Sequence, residues 1–528
     1  MNRDRTLALV IERVLIVLGI LVVYGLLMQR YPIIYGGDPV ARLVNYPRIL
    51  NGHQLPLLQV LLHFTMRWFY GPKAIFVLMA LISAAACTGV HALTWVITQD
   101  RSSARLAAIL YAAHPFILFY SRVPYQEPLA IAGIFWGFYF LFRPGSAPGL
   151  MLSSAAFGIA CLSRYECWIA ALVAAFYLVW RKWKEEGTRR MMPVVLAPAA
   201  FGWVPAGWMA WNCGLSPAGS YVLDLELSWG RLYRPYFIAK STLWWTGSAV
   251  VLLALMGFAR FRADEKVRRS RQLHSLLATV ALLLTALVFS GHGIEPDATH
   301  IVTEREAFIP VSVLILFAGA GASRFIEELR EWCGRSLLLR SAVPALAIAV
   351  AAGYGLDRGI HRVAAAGEEL KTDYEVAQFL SKRQARGLIL AAPLPAEQMA
   401  SYLHSVEKWS GSAGREKAQQ LLKEMETAPL DYQRVLMYSW MGKDKLIPGQ
   451  HLRGLDRRGI AEFLQENRID YLILFSGFTP VAEHEKSVIA AYVAHCSPEL
   501  EISNAGRSAT IYPIRHGDGA RAEKKGNG

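Results

Sequence analysis

At 528 residues, 54% hydrophobic and 18% charged, with a mean hydropathy of +0.28, the chain is longer than one domain and too apolar for an ordinary soluble protein. Its net charge of +14 would suit nucleic acid, but the basic residues sit mostly in short loops between apolar runs. There they read as topology signals and contacts for anionic lipid, so no nucleic-acid partner is expected.

The six cysteines (Cys87, Cys161, Cys167, Cys213, Cys333 and Cys496) form no CxxC pair and no cluster with zinc spacing. A Cys213–Cys496 bridge would require both thiols to face one oxidising compartment. The first segment, MNRDRTLALVIERVLIVLGILVVYGLL, has a basic head and an apolar run too long for a signal peptide, with no A-x-A-like cleavage site after it. It predicts a retained helix over 8–29.

A long loop follows, over about 30–72. Its single acid, Asp38, lies in Gly-Gly-Asp-Pro, which is also plain turn chemistry. The stretches VARLVNYPRIL and LPLLQVLLHFTMRWFYG then read as amphipathic helices lying in the membrane interface. Further helices are predicted over 73–98, 105–120, 128–143, 150–165, 167–183, 191–212, 243–260, 273–291, 306–325 and 337–356, so about eleven segments of spanning character in all.

Charged residues mark the joints between them. Arg122 and Glu127 separate the helices over 105–120 and 128–143, and Glu127 also suits the first turn of a helix with Pro128 at its start. Arg164 and Glu166 fall between two apolar runs with almost no loop. An ionisable pair there is costly if unpaired, and it either serves a ligand or pairs with other helix ends. Glu304, Arg305 and Glu306 open the helix over 306–325. The acids suit a helix N-terminus, whereas Arg305 opposes the helix dipole and suits an anionic ligand.

The strongly basic loops at 101–105, 180–190, 259–271 and 324–340 fall, with eleven helices, on the same side as the N-terminus. The positive-inside rule makes that side cytoplasmic. The opposite face then holds Asp38, Glu127, Glu166, Glu304 and the isolated arginines, and any chemistry is expected there. The apolar pattern ends near residue 357. The following region, 358–517, alternates helix-like and strand-like pieces: helices at 374–383 and 456–468, strands at 387–392 and 469–476. It reads as a soluble α/β domain outside the cytoplasm, followed by a polar, disordered tail over 518–528.

In order along the chain, these features resemble the GT-C superfamily of membrane glycosyltransferases, in the branch of the protein O-mannosyltransferases and aminoarabinose lipid A transferases. The resemblance rests on Asp38 in the first outer loop, on LPLLQVLLHFTMRWFYGPKAIF, on SRVPYQEPL with an arginine before an acid, and on TEREAFIP. It covers about 1–330 well and the remainder loosely. The chain departs from the pattern in having a lone Asp38, where mannosyltransferases have an acid pair, and Glu127, where many relatives have aspartate.

The resemblance implies a GT-C-like catalytic domain over 1–357. It also implies sugar transfer from a polyprenyl-phosphate donor to an acceptor hydroxyl on a protein, lipid or glycan, with inversion. Asp38 is the expected general base, with Glu127 as a second catalytic residue that orients the acceptor or an arginine. Arg122, Arg164 and Arg305 are expected at the donor phosphate, and Glu166 and Glu304 toward the acceptor. With no second aspartate beside Asp38, neither a metal nor a separate cofactor is expected. Two readings of other classes stay open: a lipid or glycan transporter or flippase, and an oligosaccharyltransferase-like ligase using a pyrophosphate-linked glycan. A transporter would want ionisable residues at mid-membrane and broken helices.

Overall fold

The structure is a computed structural model. It describes residues 3–30, 42, 55–69, 72–143, 147–186, 201–207, 229–263, 271–289, 307–333, 337–382, 388–392, 446–448, 459, 462, 464–465, 469–476, 493, 497–504 and 507–514. Asp38, Glu304, Arg305, Glu306, Cys213, Cys496 and the 518–528 tail lie outside the described residues.

The described helices are α1 (Arg3–Arg30), α2 (Leu57–Trp68), α3 (Pro72–Thr98), α4 (Arg101–Ala113), α5 (Pro115–Ser121), α6 (Glu127–Phe142), α7 (Ala147–Cys161), α8 (Cys167–Glu186), α9 (Trp229–Ala263), α10 (Arg271–Phe289), α11 (Phe308–Trp332) and α12 (Leu337–Lys382). Residues 201–207 are also helical. Segments Ala8–Leu27, Ala74–Thr98, Ile238–Phe261 and Phe308–Trp332 are each long and apolar enough to cross a bilayer. Helices α4 and α5 pass the same test only as a bent pair, the pattern of a broken span or a re-entrant loop. On α1, Val10, Val14, Leu18, Val22 and Leu26 are all exposed, a stripe suited to lipid rather than water. The chain is an integral membrane protein.

Three helices differ from the hydropathy pattern. The segment expected as one helix over 105–120 is two, bent by 61° at His114. Pro115 has no N–H to donate, and its ring collides with the preceding turn. Helix α9 begins at Trp229, upstream of the expected 243, and is interrupted at Gly247 (φ 73, ψ 157), a backbone geometry that glycine alone adopts cheaply. Helix α12 runs through residue 357 to Lys382, because a helix does not end where its hydropathy does.

Small residues set the helix crossings. A Cβ on Gly133 of α6 would lie 2.6 Å from the Ala156 carbonyl oxygen of α7, and one on Gly137 would lie 2.7 Å from the Phe157 ring. Gly257 and Gly321 bring the backbones of α9 and α11 together in the same way, and Gly319 meets Ala107 of α4. Without a hydrophobic force between helices in lipid, such close packing holds them.

The chain divides into two compact units, one including Ile75–Val363 and the other including Ala364–Gly528. The second contains a five-stranded sheet in the order β2-β1-β3-β5-β4, formed by β1 (Leu388–Ala392), β2 (Leu446–Pro448), β3 (Ile469–Ser476), β4 (Leu500–Asn504) and β5 (Arg507–Pro513). The two strands expected from sequence, β1 and β3, are parallel neighbours. Strand β5 runs antiparallel to β3 and β4. Val376 of α12 packs with Ile473, Ile502, Ala509 and Ile511 into a local core.

Candidate functional site

Two short turns and the start of α2 carry the described candidate residues. The first turn joins α5 to α6. Arg122 ends α5, and Glu127 opens α6, preceded by Gln126 and followed by Pro128 at the start of the helix. Gln126 donates to the Leu55 carbonyl oxygen at 3.2 Å, tying this turn to the chain that enters α2. The second turn, between α7 and α8, holds Arg164 and Glu166. It is tied to α2 as well, because the Leu57 N–H donates to the Leu162 carbonyl oxygen at 3.3 Å.

The turns meet through side chains. Glu127 is 1% exposed, and its Oε1 accepts from Nη1 of Arg164. The same guanidinium donates from Nε to Oε2 of Glu166 at 3.0 Å and from Nη2 to Oε1 of Glu166. One cation thus bridges two carboxylates, leaving the trio with one formal negative charge. Oε2 of Glu127 is buried and has no hydrogen-bond partner among the described residues. That oxygen is an acceptor still to be filled.

Arg122 is also 1% exposed. Its guanidinium lies over the Phe76 ring of α3, 5.3 Å from the centroid. Tyr24, Ser83 and Ser121 place hydroxyls in the same neighbourhood, and Tyr24 feels the Arg122 charge. These three were not among the expected site residues: a lone hydroxyl inside an apolar helix carries no signal in sequence. Tyr120 and Tyr125 flank the turn with their rings 5.1 Å apart.

The structure therefore brings Glu127, Arg164 and Glu166 together. It places Arg122 five residues before Glu127, across one short turn. Asp38, Arg305 and Glu304 lie outside the described residues. Among the described residues, no group of three or more His, Cys, Asp and Glu side chains is arranged to hold a metal ion.

This architecture has a solved counterpart, because the chain shares its fold with ArnT. The structure of ArnT from Cupriavidus metallidurans bound to undecaprenyl phosphate superposes with a TM-score of 0.55 at 12% identity, covering 94% of this chain and 97% of that one. The archaeal oligosaccharyltransferase AglB from Archaeoglobus fulgidus, in complex with an inhibitory peptide and a dolichol-phosphate, aligns at TM-score 0.47 and 13% identity over 87% of this chain and 69% of that one. The arabinofuranosyltransferase AftD from Mycobacteria aligns at 0.42 and 13% identity over 98% and 40%. No family model and no curated protein sequence matches the chain. At such identities the likeness is one of fold, and it is the ArnT superposition that carries it.

Proposed function

We propose that the chain is an inverting glycosyltransferase that moves a sugar from a polyprenyl-phosphate donor to an acceptor hydroxyl on the extracytoplasmic side of the membrane. The observation that carries this reading is the Glu127–Arg164–Glu166 bridge, its Glu127 buried, one short turn along the chain from the buried Arg122, in a fold shared with a protein solved bound to undecaprenyl phosphate. In this reading about eleven spans leave the N-terminus cytoplasmic and place the region after 357 outside as an acceptor-side domain.

The chemistry balances as a single displacement. Asp38 takes the proton of the acceptor hydroxyl as its oxygen attacks the anomeric carbon. The new C–O bond forms while the bond from that carbon to the donor phosphate breaks, and the polyprenyl phosphate departs with the electron pair. Arg122 and Arg305 stabilise the charge growing on that phosphate. Arg164, read from sequence as a third phosphate ligand, spends its guanidinium on two carboxylates, so its part is to fix Glu127. The open Oε2 of Glu127 then accepts a hydrogen bond from the acceptor or the sugar.

The test is transfer from a panel of radiolabelled polyprenyl-phosphate sugars in purified membranes. Wild type is expected to transfer one of them, and Asp38→Asn to lose about a hundredfold or more of the rate. A folded Asp38→Asn protein with full transfer would overturn the base assignment. Carrier movement across the bilayer without transfer would favour a transporter.

A further inference from the structure

Two helix breaks adjoin at α5. One is the 61° bend at His114. The other is at Gly247, two residues after Trp245, whose ring meets Phe116 of α5 edge-on at 5.3 Å. Helix α12 crosses the same point. A Cβ on Gly355 would lie 2.5 Å from the Ala113 carbonyl oxygen, and one on Gly359 would lie 2.9 Å from Cδ1 of Leu118. Broken helices within a membrane persist where protein buries them or where they line a polar site.

The junction is polar beyond its own needs. His114 is 3% exposed, and neither ring nitrogen has a hydrogen-bond partner among the described residues. The same holds for Nε1 of Trp245 and for Oγ1 of Thr242 and Thr246, all buried. Thr242, Trp245 and Thr246 share a helix face by their i, i+3 and i, i+4 spacing. Each buried polar group left unsatisfied is costly, so several gathered at one place point to a ligand.

Two cations show its sign. Arg358 and Arg362, one turn apart on α12, lie over the rings of Trp244 at 4.6 Å and Trp245 at 5.4 Å. Neither has a carboxylate partner among the described residues, and the neighbouring Asp357 pairs instead with His361 at 3.4 Å. The Arg358 charge is felt at the His114 ring. Guanidinium and indole nitrogens only donate hydrogen bonds, which matches an acceptor-only anion. A cation within or beside the bilayer that lacks a protein carboxylate finds lipid phosphate.

We propose that the junction of α5, α9 and α12 binds the phosphate group of an anionic lipid through Arg358 and Arg362, with His114 and Trp245 as hydrogen-bonding partners. Its residues differ from those at Arg122, which caps the C-terminal end of α5 and lies against Phe76 of α3. Occupancy would brace α5 and so the turn that carries Arg122.

The test is lipid binding to the delipidated full chain, measured by native mass spectrometry. The probes are phosphatidylglycerol, undecaprenyl phosphate, phosphatidylcholine and inorganic phosphate. Phosphatidylglycerol is expected to bind wild type and Arg122→Gln alike, and the Arg358→Gln/Arg362→Gln variant at least about tenfold more weakly. If undecaprenyl phosphate alone carries the loss, the occupant is the polyprenyl carrier and the proposal stands with that source. Equal affinity of wild type and the double variant for both anionic lipids overturns it. So does an equal loss for phosphatidylcholine, or an arginine-dependent signal confined to inorganic phosphate. Arg362→Gln alone, altering an exposed side chain, decides the matter if the double variant fails to fold.

Discussion

Arg164 donates from Nη1 to Oε1 of the buried Glu127, a contact across 37 residues of sequence that joins the turn before α6 to the turn before α8. Glu127 is almost wholly enclosed, with Arg164 as a cation at its carboxylate. Removing one member of a buried pair leaves the other charged and unsolvated, at a cost on the order of 3–5 kcal/mol. Arg164→Met is therefore expected to lower the thermal unfolding midpoint in detergent strongly. Glu166→Gln, whose side chain is 17% exposed, should lower it less. Adding Glu127→Gln to Arg164→Met should recover part of the loss. A double variant no more stable than Arg164→Met would show that the pair contributes no coupling.

Arg122 supplies a different effect. Its guanidinium is held over Phe76 near the hydroxyls of Tyr24, Ser83 and Ser121. If it stabilises charge on the departing phosphate, Arg122→Gln should reduce kcat by about 10²–10³-fold, as loss of a preorganised donor does elsewhere. Arg122→Lys should recover only part, because a point charge cannot replace a planar fork on an aromatic face. Steady-state transfer assays would check both. A change confined to KM in both variants would assign Arg122 to uniform donor binding.

The spans were legible because an apolar run of about 20 residues has few uses other than crossing lipid. The bend at His114 was hidden, although Pro115 marks it, because the apolar run continues through it unbroken. Helix α12 outran its hydropathy for the opposite reason: Asp357, Arg358 and Arg362 change the solvent a helix prefers, not its backbone hydrogen bonds. Strands β1 and β3 were readable as apolar runs, whereas β2 has three residues and too little pattern to detect. At the site, sequence named Arg164 and Glu166 as charges in a costly place, and Glu127 as a first-turn acid with a candidate catalytic role. It held no record of which acid the arginine takes, since the choice between a phosphate and two carboxylates is made by tertiary packing.

The crossing of α9 and α11 makes a sharper packing prediction. A Cβ on Gly321 falls on the Leu253 carbonyl oxygen, and one on Gly257 falls on the Phe317 carbonyl oxygen. Neither obstacle is a flexible side-chain tip, so the helices must part. Gly321→Ala is expected to cost on the order of 1–3 kcal/mol. Gly353→Ala on α12 meets nothing within 4 Å and should be neutral or slightly stabilising, since alanine is the better helix former. Thermal midpoints of the two variants should therefore move apart. Similar midpoints would show that α9 and α11 separate without cost.

Asp100, between α3 and α4, ties the start of α4 to α9 and α11. It accepts from the N–H groups of Ser102 at 3.0 Å and Ser103 at 3.1 Å, and from the Ser323 hydroxyl of α11 at 2.8 Å. Arg260 of α9 approaches it at 3.9 Å. Burial opposes ionisation most strongly of any single influence. The hydrogen bonds from Ser103 and Ser323, with those from the two backbone N–H groups, together outweigh it and hold the carboxyl below its usual range. A carboxyl depressed in the folded state stabilises the fold above its unfolded pKa of about 3.9, and that stabilisation is lost as pH falls through the folded value. Asp100→Ala should cost about 1–2 kcal/mol at neutral pH by removing the cap. Asp100→Asn keeps a capping oxygen, and its deficit relative to wild type should shrink once pH drops below about 4. Unfolding midpoints of the two proteins between neutral pH and pH 3 would show it, and a gap that stays constant to pH 3 would mean that Asp100 acts through its shape rather than its charge.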